Sequence, residues 1–284
     1  MSRDAWGLVT LPTRSRPTPV SGYLRVVENR PTNDRYMAIT LEAPEIASLA
    51  KPGQFVMMTA AHRGESTPAL PRPMAIYSTD LTRGTIEILY GVVGYGTARL
   101  QSFEPAEEMY VVGPLGRGFD VAESVYRVLL VGRGIGTCSL TTVAQSNVAR
   151  GIETIAVTSA REPGALIGED FYRYHEAKAI YAVIDRDGTS SPDALFARLT
   201  ADWDDAPPDL ILTCGSARLT RLCESLSDRW GAGLQVSVEA HMACGLGYCH
   251  GCASGARSEG DESPLICRDG PVFSWEPMMR TETP

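Results

Sequence analysis

The sequence predicts an antiparallel β-barrel, then an α/β domain with a parallel sheet, and finally a short cysteine-rich segment. Short β-type runs separated by Gly, Pro and Asp fill the first part of the chain, which is the spacing of a small barrel. From about Val125, continuous apolar runs alternate with helical stretches, as in parallel sheets covered by helices. Four of the seven cysteines then lie between Cys244 and Cys267. At 284 residues, the chain is long enough for two domains that each bury a core.

The composition excludes several classes of protein. A hydrophobic fraction of 44% and a charged fraction of 21% are typical of soluble globular proteins. No apolar run reaches the ~18 residues of a membrane span, and the N-terminus lacks the apolar core of a signal peptide. The formal net charge of −8 argues against a nucleic-acid partner, which requires clustered Lys and Arg. We therefore expect a cytoplasmic protein that binds neither membranes nor nucleic acid.

The barrel is predicted over residues 21–124, after an irregular, proline-containing arm at residues 1–20. Within Gly94–Ser102 the β-pattern breaks, which predicts a turn that enters a short helix. The strands are expected where β-branched, aromatic and other apolar residues are concentrated, at Tyr23–Val27, Tyr36–Leu41, Phe55–Thr59, Met74–Ser78, Thr85–Val93 and Met109–Val112.

The α/β domain is predicted over residues 125–238. Its first strand, Arg127–Val131, is continuously apolar and leads into a Gly-rich turn and a helix that runs to Arg150. The later strands and helices are expected at Thr154–Thr158, Ala179–Ile184, Pro192–Leu199, Leu210–Thr213, Ala217–Trp230 and Leu234–Val238. Residues 239–284 show little periodicity and are too few to bury a core of their own, so we expect a metal centre to organise them.

The cysteine spacing points to one kind of metal centre. Cys-x4-Cys-x2-Cys, then fourteen intervening residues and a fourth Cys, is the plant-type spacing for a [2Fe–2S] cluster. Glycines between the cysteines let the backbone come close to an inorganic core and free its amides for the sulfurs. Structural zinc is the alternative, with His241 or His250 as nitrogen ligands, but zinc favours two Cys-x2-Cys pairs and this chain has one. The predicted cluster ligands are Cys244, Cys249, Cys252 and Cys267.

Three weaker motifs suggest phosphate or ring binding. Gly132-Arg-Gly-Ile-Gly136 follows a strand and opens a helix, so its amides could meet a nucleotide's phosphates, although a tight turn also needs glycines. Gly94-Tyr-Gly-Thr97 could hold a pyrophosphate or form a simple barrel turn. Arg72–Ser78 offers a fork-shaped donor at Arg72 and a flat ring at Tyr77, or is an ordinary strand.

Taken in order along the chain, these motifs resemble the ferredoxin–NADP reductase superfamily. The resemblance includes Gly113-Pro-Leu-Gly-Arg-Gly-Phe119, Cys214-Gly215 and the cysteine segment, and it covers about Tyr23 to Phe273. Within the superfamily, the chain is most similar to the electron-transfer, iron–sulfur flavoprotein subunits of class B dihydroorotate dehydrogenase. The resemblance implies a flavin-binding antiparallel barrel, an NAD(P)-binding α/β domain with a parallel sheet, and a C-terminal [2Fe–2S] loop segment.

The resemblance also implies which residues bind each cofactor. Cys214 could lie beside the nicotinamide, although a merely buried thiol is the alternative. Ser159 and Arg161 could receive the 2′-phosphate of NADPH, or could form a solvated loop. Residues matching the FAD side are Arg72, Pro73, Met74, Ala75, Tyr77, Ser78, Gly94, Gly96 and Thr97. Residues matching the NAD(P)H side are Gly132, Gly134, Gly136, Cys214 and Gly215.

The sequence departs from the superfamily pattern at several positions. Ala75 replaces a Ser whose hydroxyl lies near the reactive edge of the flavin. Arg133 replaces a Gly, Cys138-Ser139 replaces Ala-Pro, and Ser216 replaces Pro, all on the nucleotide side. These changes lead to the hypothesis that the chain serves a partner other than an orotate-forming enzyme, with another electron donor.

The favoured function is an electron-transfer subunit that links NAD(P)H, FAD, the [2Fe–2S] cluster and a catalytic flavoprotein or other oxidoreductase. Such a subunit needs no acid–base pair acting on a substrate, because the cofactors carry the chemistry. The partner is expected to form a hetero-oligomer by docking over His241–Cys267, near Asp261 and Glu262. The alternatives are a stand-alone flavin and iron–sulfur reductase acting on a small molecule, and a zinc-stabilised non-catalytic module.

Overall fold

The computed structural model describes residues 8–10, 18–255 and 263–275. In chain order, the first elements are β1 (Leu8–Thr10), β2 (Val20–Pro31), β3 (Tyr36–Glu42), α1 (Pro44–Leu49), β4 (Phe55–Met58), β5 (Arg72–Ala75), β6 (Ser78–Asp80), β7 (Thr85–Gly91), α2 (Tyr95–Gln101) and β8 (Glu108–Leu115). The remaining elements are β9 (Arg127–Arg133), α3 (Cys138–Arg150), β10 (Glu153–Ala160), α4 (Glu169–Tyr174), β11 (Ala179–Ile184), α5 (Pro192–Trp203), β12 (Leu210–Cys214), α6 (Ala217–Trp230), β13 (Gly233–Ser237), α7 (Ile266–Asp269) and β14 (Val272–Trp275).

The first sheet is a curled antiparallel half-barrel with the strand order β5-β4-β8-β2-β3-β7-β6. Alternation along its strands sends one set of side chains inward: in β8, Met109 and Val111 are fully buried, whereas Tyr110 is exposed. Ile39 and Ile88, opposite each other in β3 and β7, lie in the same core. Burying each such aliphatic side chain stabilises the fold by roughly 1.5–3 kcal/mol.

The predicted strand Met74–Ser78 is wrong in its bounds. The structure has two strands here, β5 and β6, which are separated at Ile76 and Tyr77. They separate because β5 pairs with β4 while β6 pairs with β7, so the chain changes partner strands at this point. Local alternation in the sequence carries no information about such a change of partner.

The second sheet carries the parallel strands, in the order β13-β12-β9-β10-β11. The chain runs outward from β9 to β11 and then returns to β12 on the other side of β9. This reversal opens a crevice at the carboxyl ends of β9 and β12, where nucleotides bind in open α/β sheets. Gly132 and Cys214 are paired there in neighbouring strands.

Two short strands that the sequence analysis did not predict extend this sheet. β14 pairs antiparallel with β13, and β1 pairs antiparallel with β14. The prediction of an irregular arm over residues 1–20 is therefore wrong for Leu8–Thr10, while residues 1–7 and 11–17 lie outside the described residues. A three-residue strand depends on a distant sheet edge, so its own sequence cannot indicate it.

The last segment shares its core with the barrel. Ile266, Cys267 and Phe273 pack against Phe55 and Leu115 of β4 and β8 in one buried cluster. This packing holds the cysteine segment beside the barrel wall.

Within the three described ranges, no helix combines the length and the apolar character that a membrane crossing requires.

Candidate functional site

The segment that carries the four predicted ligands, Cys244 to Cys267, is called the cysteine loop here. Its four thiols differ in their exposure to solvent. Cys252 and Cys267 are buried, and their Sγ atoms lie 3.2 Å apart. Cys244 is partly buried, and Cys249 is exposed. The thiols therefore form one close, buried pair and a more accessible pair at the surface.

Two glycines explain how the loop folds around this position. Gly245 and Gly247 have φ angles of +69° and +82°, in the left-handed region that disfavours other residues. A Cβ at Gly245 would overlap the Met57 side chain of β4, and one at Gly247 would lie 3.0 Å from Arg268. The glycines thus allow both the turn and its close approach to the barrel and to α7.

Backbone amides of the loop point at the sulfurs. The Leu246 amide donates to Cys244 Sγ over 3.4 Å, and the Cys267 amide donates to Cys252 Sγ over 3.4 Å. Burial opposes ionisation of Cys244, but hydrogen bonds from backbone amides, that of Leu246 foremost, lower its pKa to about 6. Burial, and after it the adjacent Cys252, raise the pKa of Cys267 to about 12. One thiol of the loop is therefore preset as a thiolate ligand.

This donor set fits a two-iron cluster. Each iron of a [2Fe–2S] core takes two cysteine sulfurs, and the close sulfurs of Cys252 and Cys267 would supply one such pair. Soft sulfur donors with amides aimed at them are the usual surroundings of iron–sulfur cores.

A cavity of about 460 Å³ lies where the barrel, the α/β domain and the last segment meet. This volume is in the range of small-molecule and cofactor sites. The lining is mainly apolar and includes Pro73, Met74 and Ala75 of β5, together with Thr97 of α2. Of the sequence-predicted FAD residues, these four line the cavity.

Arg72 and Gly96 form a second part of the predicted FAD site. The Arg72 guanidinium rests directly on Gly96 in the first turn of α2, where a Cβ would overlap it. The Thr97 hydroxyl accepts hydrogen bonds from the backbone amides of Val93 and Gly94, at 2.9 and 3.1 Å, and so caps the helix. An arginine beside a helix N-terminus offers the donors that a diphosphate needs.

Tyr77 and Ser78 lie away from this cavity. The Tyr77 ring is buried against Phe171, with ring centroids 4.9 Å apart, and its burial raises the pKa of the phenol well above the usual range. Ser78 donates to Glu87 Oε2 over 3.5 Å. The motif Arg72–Ser78 is therefore divided by the break between β5 and β6, and only its first half reaches the cavity.

The predicted nucleotide residues meet at the crevice between β9 and β12. A Cβ on Gly136 would lie 2.7 Å from Gly215 Cα, and one on Gly132 would lie 2.6 Å from Thr137 Oγ1. Gly134 and Gly215 have φ angles of +52° and +104°. The two turns are thus packed backbone against backbone, which only glycines allow.

Cys214 lies behind the cavity wall. Its thiol is buried and donates to Ser139 Oγ over 3.7 Å, and Ser139 itself lines the cavity. Burial raises the pKa of Cys214 to about 12, so the sulfur stays a neutral thiol.

Glu239 and Tyr36 are among the titratable residues of the cavity lining that were not predicted from the sequence. Glu239 faces the cavity directly after β13, and the protein around it raises the pKa of its carboxyl through desolvation. Tyr36 of β3 also lines the cavity, and its hydroxyl lies 3.4 Å from the Cβ position of Gly134. The place of Glu239 at the carboxyl end of a parallel strand is the signal that could have found it.

Comparison with known proteins agrees with this geometry. Residues 239–278 match the family model for the iron–sulfur cluster binding domain of dihydroorotate dehydrogenase B. The NADH-dependent reduced ferredoxin–NADP oxidoreductase structure has a similar chain, with a TM-score of 0.73 and 22% identity over 89% of this chain and 88% of that one. The ferredoxin reductase of carbazole 1,9a-dioxygenase gives a TM-score of 0.59 at 15% identity, covering 78% and 68%.

These likenesses confirm the predicted fold class. The half-barrel, the α/β sheet and the cysteine loop define an iron–sulfur oxidoreductase component of the ferredoxin reductase type. Two relatives are named "Dihydroorotate dehydrogenase B (NAD(+)), electron transfer subunit". The one from Geobacillus thermodenitrificans is 31% identical over 256 residues, and the one from Streptococcus thermophilus is 31% identical over 253; each match covers 88% of this chain and 95% of the relative. The chain belongs to this family of electron transfer subunits.

Proposed function

We propose that this chain passes electrons between NAD(P)H, FAD, a [2Fe–2S] cluster and a catalytic partner flavoprotein. The observation that carries the proposal is the single cavity that three parts of the chain line together, at Ala75, Ser139 and Met242, with Met242 two residues before Cys244. Bound FAD exchanges hydride or single electrons, and a [2Fe–2S] cluster accepts electrons singly. The proposed domain plan is residues 21–124 for FAD, 125–238 for NAD(P)H and 239–284 for the cluster.

In this proposal, β5 and α2 hold the FAD. Arg72 and the amides around Gly96 receive the diphosphate, because a guanidinium and a helix N-terminus both favour an anion. Pro73, Met74 and Ala75 give the ring system an apolar wall that excludes water. Tyr77 and Ser78 then support β5 and β6 from outside the cavity.

Glu239 is proposed to hold a proton at the cavity wall. Desolvation by the surrounding protein raises the pKa of the Glu239 carboxyl, although the residue is still exposed to solvent on the cavity side. Ser139 lies on the same wall, and the neutral thiol of Cys214 donates to it from behind.

The NAD(P)H link is proposed from the turn Gly132–Gly136 and its packing on Cys214 and Gly215. The turn starts α3 at the crevice between β9 and β12, which is where open α/β sheets bind nucleotides. The relatives carry NAD(+) in their name, which supports the same link. Mixing the holoprotein with NADH or NADPH in a stopped-flow instrument tests it: bleaching of the flavin band supports the link, and no bleaching with either nucleotide contradicts it.

The partner is proposed to dock over the cysteine loop. Leu246 and Tyr248 are 54% and 92% exposed on either side of Gly247, and Cys249 beside them is exposed too. Exposed apolar side chains around a redox site are the kind of surface that partners cover. Asp261 and Glu262, which the sequence analysis placed in this interface, lie outside the described residues. A cytoplasmic location is part of this proposal.

The experiment that tests the function combines the chain with its catalytic partner. The chain is co-expressed with a candidate catalytic flavoprotein, and the complex is isolated by size-exclusion chromatography. We expect co-elution and partner-dependent electron flow from NAD(P)H, with Tyr248→Ala weakening co-elution and Tyr174→Ala, an equally exposed tyrosine on α4, leaving it unchanged. Dihydroorotate as electron donor to the complex tests whether the partner forms orotate. Turnover of a small molecule by the isolated chain would instead support a stand-alone reductase.

A further inference from the structure

Four polar side chains converge at the end of β11, on or beside the carboxylate of Asp185. Arg133 binds it with both terminal nitrogens, at 3.1 Å to Oδ1 and 2.6 Å to Oδ2. Arg218 Nη2 donates to Oδ1 over 3.0 Å, and the buried Ser190 hydroxyl also donates to Oδ1. Ser159, buried at the end of β10, accepts from Arg133 over 2.9 Å.

This donor set is the kind that binds phosphate. Two guanidinium groups and neighbouring hydroxyls bind phosphate oxygens with charge-assisted, often bidentate hydrogen bonds. Here one carboxylate faces two arginines, so the group keeps one net positive charge in a chain of net charge −8. These arginines hold the pKa of Asp185 well below its usual range, so the carboxylate is ionised throughout the physiological range.

The group lies at the nucleotide crevice. Arg133 ends β9, Ser159 lies at the end of β10, and Arg218 is in the first turn of α6. The Arg133 carbonyl oxygen is 2.5 Å from the Cβ position of Gly215, which ties the group to the turn beside the crevice. Arg161 and Arg186 belong to adjoining loops, which a backbone hydrogen bond of 3.3 Å joins. A ligand that enters over the carboxyl ends of β9–β11 therefore meets these arginines.

We propose that the Asp185 carboxylate occupies a phosphate-binding site of this chain, and that a phosphate ester of an adenine nucleotide displaces it. The carboxylate competes with the ligand for Arg133 and Arg218, so it weakens nucleotide binding and keeps the arginines in place when the ligand is absent. Arg133, the residue that replaces a glycine of the superfamily pattern, is then a specificity-determining residue for phosphate. The inference deepens the proposed function, because it rests on a nucleotide entering this crevice.

The test measures binding to the holoprotein by isothermal titration calorimetry. The probes are adenosine 2′,5′-bisphosphate, 5′-AMP and adenosine. Asp185→Asn keeps the shape of the side chain but removes its charge, so we expect it to bind adenosine 2′,5′-bisphosphate about tenfold more tightly than the wild type, with adenosine unchanged. A gain confined to the bisphosphate identifies a 2′-phosphate as the ligand group, and an equal gain for 5′-AMP identifies the 5′-phosphate.

Two matched variants make the test decisive. Asp187→Asn removes a nearby carboxylate that accepts its hydrogen bonds from Thr189, so it should leave all three affinities unchanged. Arg218→Gln added to Asp185→Asn should abolish the gain. A gain of affinity cannot arise from unfolding, so a folding defect cannot imitate the expected result.

The proposal is overturned if Asp185→Asn binds the phosphates no more tightly than Asp187→Asn does, or if adenosine gains as much as the phosphates. This outcome is separate from failure of the proposed function. If neither NADH nor NADPH bleaches the flavin, the NAD(P)H link fails, whereas the phosphate probes report binding without electron transfer.

Discussion

The cysteine loop and the nucleotide crevice both follow from glycine-containing motifs, but they differ in what their polar groups contact. In the loop, amides aim at sulfurs such as Cys244, whose thiol is already acidic. At the crevice, Arg133 and Arg218 are paired with Asp185 from the same chain. A motif thus shows where a ligand can bind, and only the contacts show whether the chain competes with that ligand. The cavity near Glu239 lies between the two regions.

The largest expected effect tests the cluster side of this comparison. Cys267→Ala removes one thiolate of the buried pair, and we expect the iron and sulfide content to fall below about one tenth of the wild-type value, because a cluster needs all four ligands. Cys223→Ala removes an equally buried cysteine of α6 and should leave the content unchanged. Iron and sulfide assays with visible spectra measure this. Full cluster content in Cys267→Ala would show that Cys267 is not a cluster ligand, and the contrast between the cysteine loop and the nucleotide crevice would fail.

The next effect tests the backbone packing of the crevice. Gly215→Ala places a Cβ 2.5 Å from the Arg133 carbonyl at a φ of +104°, and we expect it to cost about 2–4 kcal/mol and about 5–10 °C in Tm. Gly188 also has a positive φ, of +79°, but no atom within 4 Å of its Cβ position. Gly188→Ala should therefore cost only about 1 kcal/mol. Equal losses by differential scanning calorimetry would show that backbone conformation alone, and not close packing, demands Gly215.

A smaller effect is expected for the FAD side of the cavity. Gly96→Ala pushes the Arg72 guanidinium away from the first turn of α2, so the Kd for FAD should rise about tenfold, which corresponds to about 1.4 kcal/mol. Alanine favours a helix over glycine, so loss of α2 would not explain the change. Gly22→Ala in β2, where no atom lies within 4 Å of the added Cβ, is the control. Unchanged FAD fluorescence titrations for Gly96→Ala would contradict a role for the Arg72–Gly96 contact.

The smallest effect concerns pH. Desolvation raises the pKa of Glu239, so the folded chain holds this proton where the unfolded chain has released it. Its contribution to stability is therefore fully present below the unfolded pKa and falls as the pH rises through the folded one. Glu239→Gln should raise Tm at pH 8 more than at pH 4, by less than about 2 °C, because the side chain is open to the cavity and solvent reduces the effect. A larger gain in Tm at pH 4 than at pH 8 for Glu239→Gln would contradict a raised pKa of Glu239.

Local patterns predicted the parts of the molecule that depend on neighbouring residues. The spacing of four cysteines indicated the cluster loop, and apolar runs such as Arg127–Val131 indicated the parallel strands. Gly96 was found as part of a turn motif, although its contact with Arg72 was not. These features follow from the chain's own periodicity and spacing.

Features that depend on distant partners could not be predicted. β1 pairs with β14 across most of the chain, and Arg133 reaches Asp185 over 52 residues. Tyr77 was assigned to the flavin strand by resemblance, and the contact of its ring with Phe171, 94 residues away, was not predicted. Each of these outcomes is decided by tertiary packing that no window of sequence contains.

The most direct measurement is the iron, sulfide, zinc and FAD content of the chain purified anaerobically. The arrangement of Cys244, Cys249, Cys252 and Cys267 beside the cavity predicts about two iron and two sulfide per chain, with one FAD and no zinc. A chain that holds stoichiometric zinc, or that holds neither iron nor sulfide after reconstitution, would contradict it.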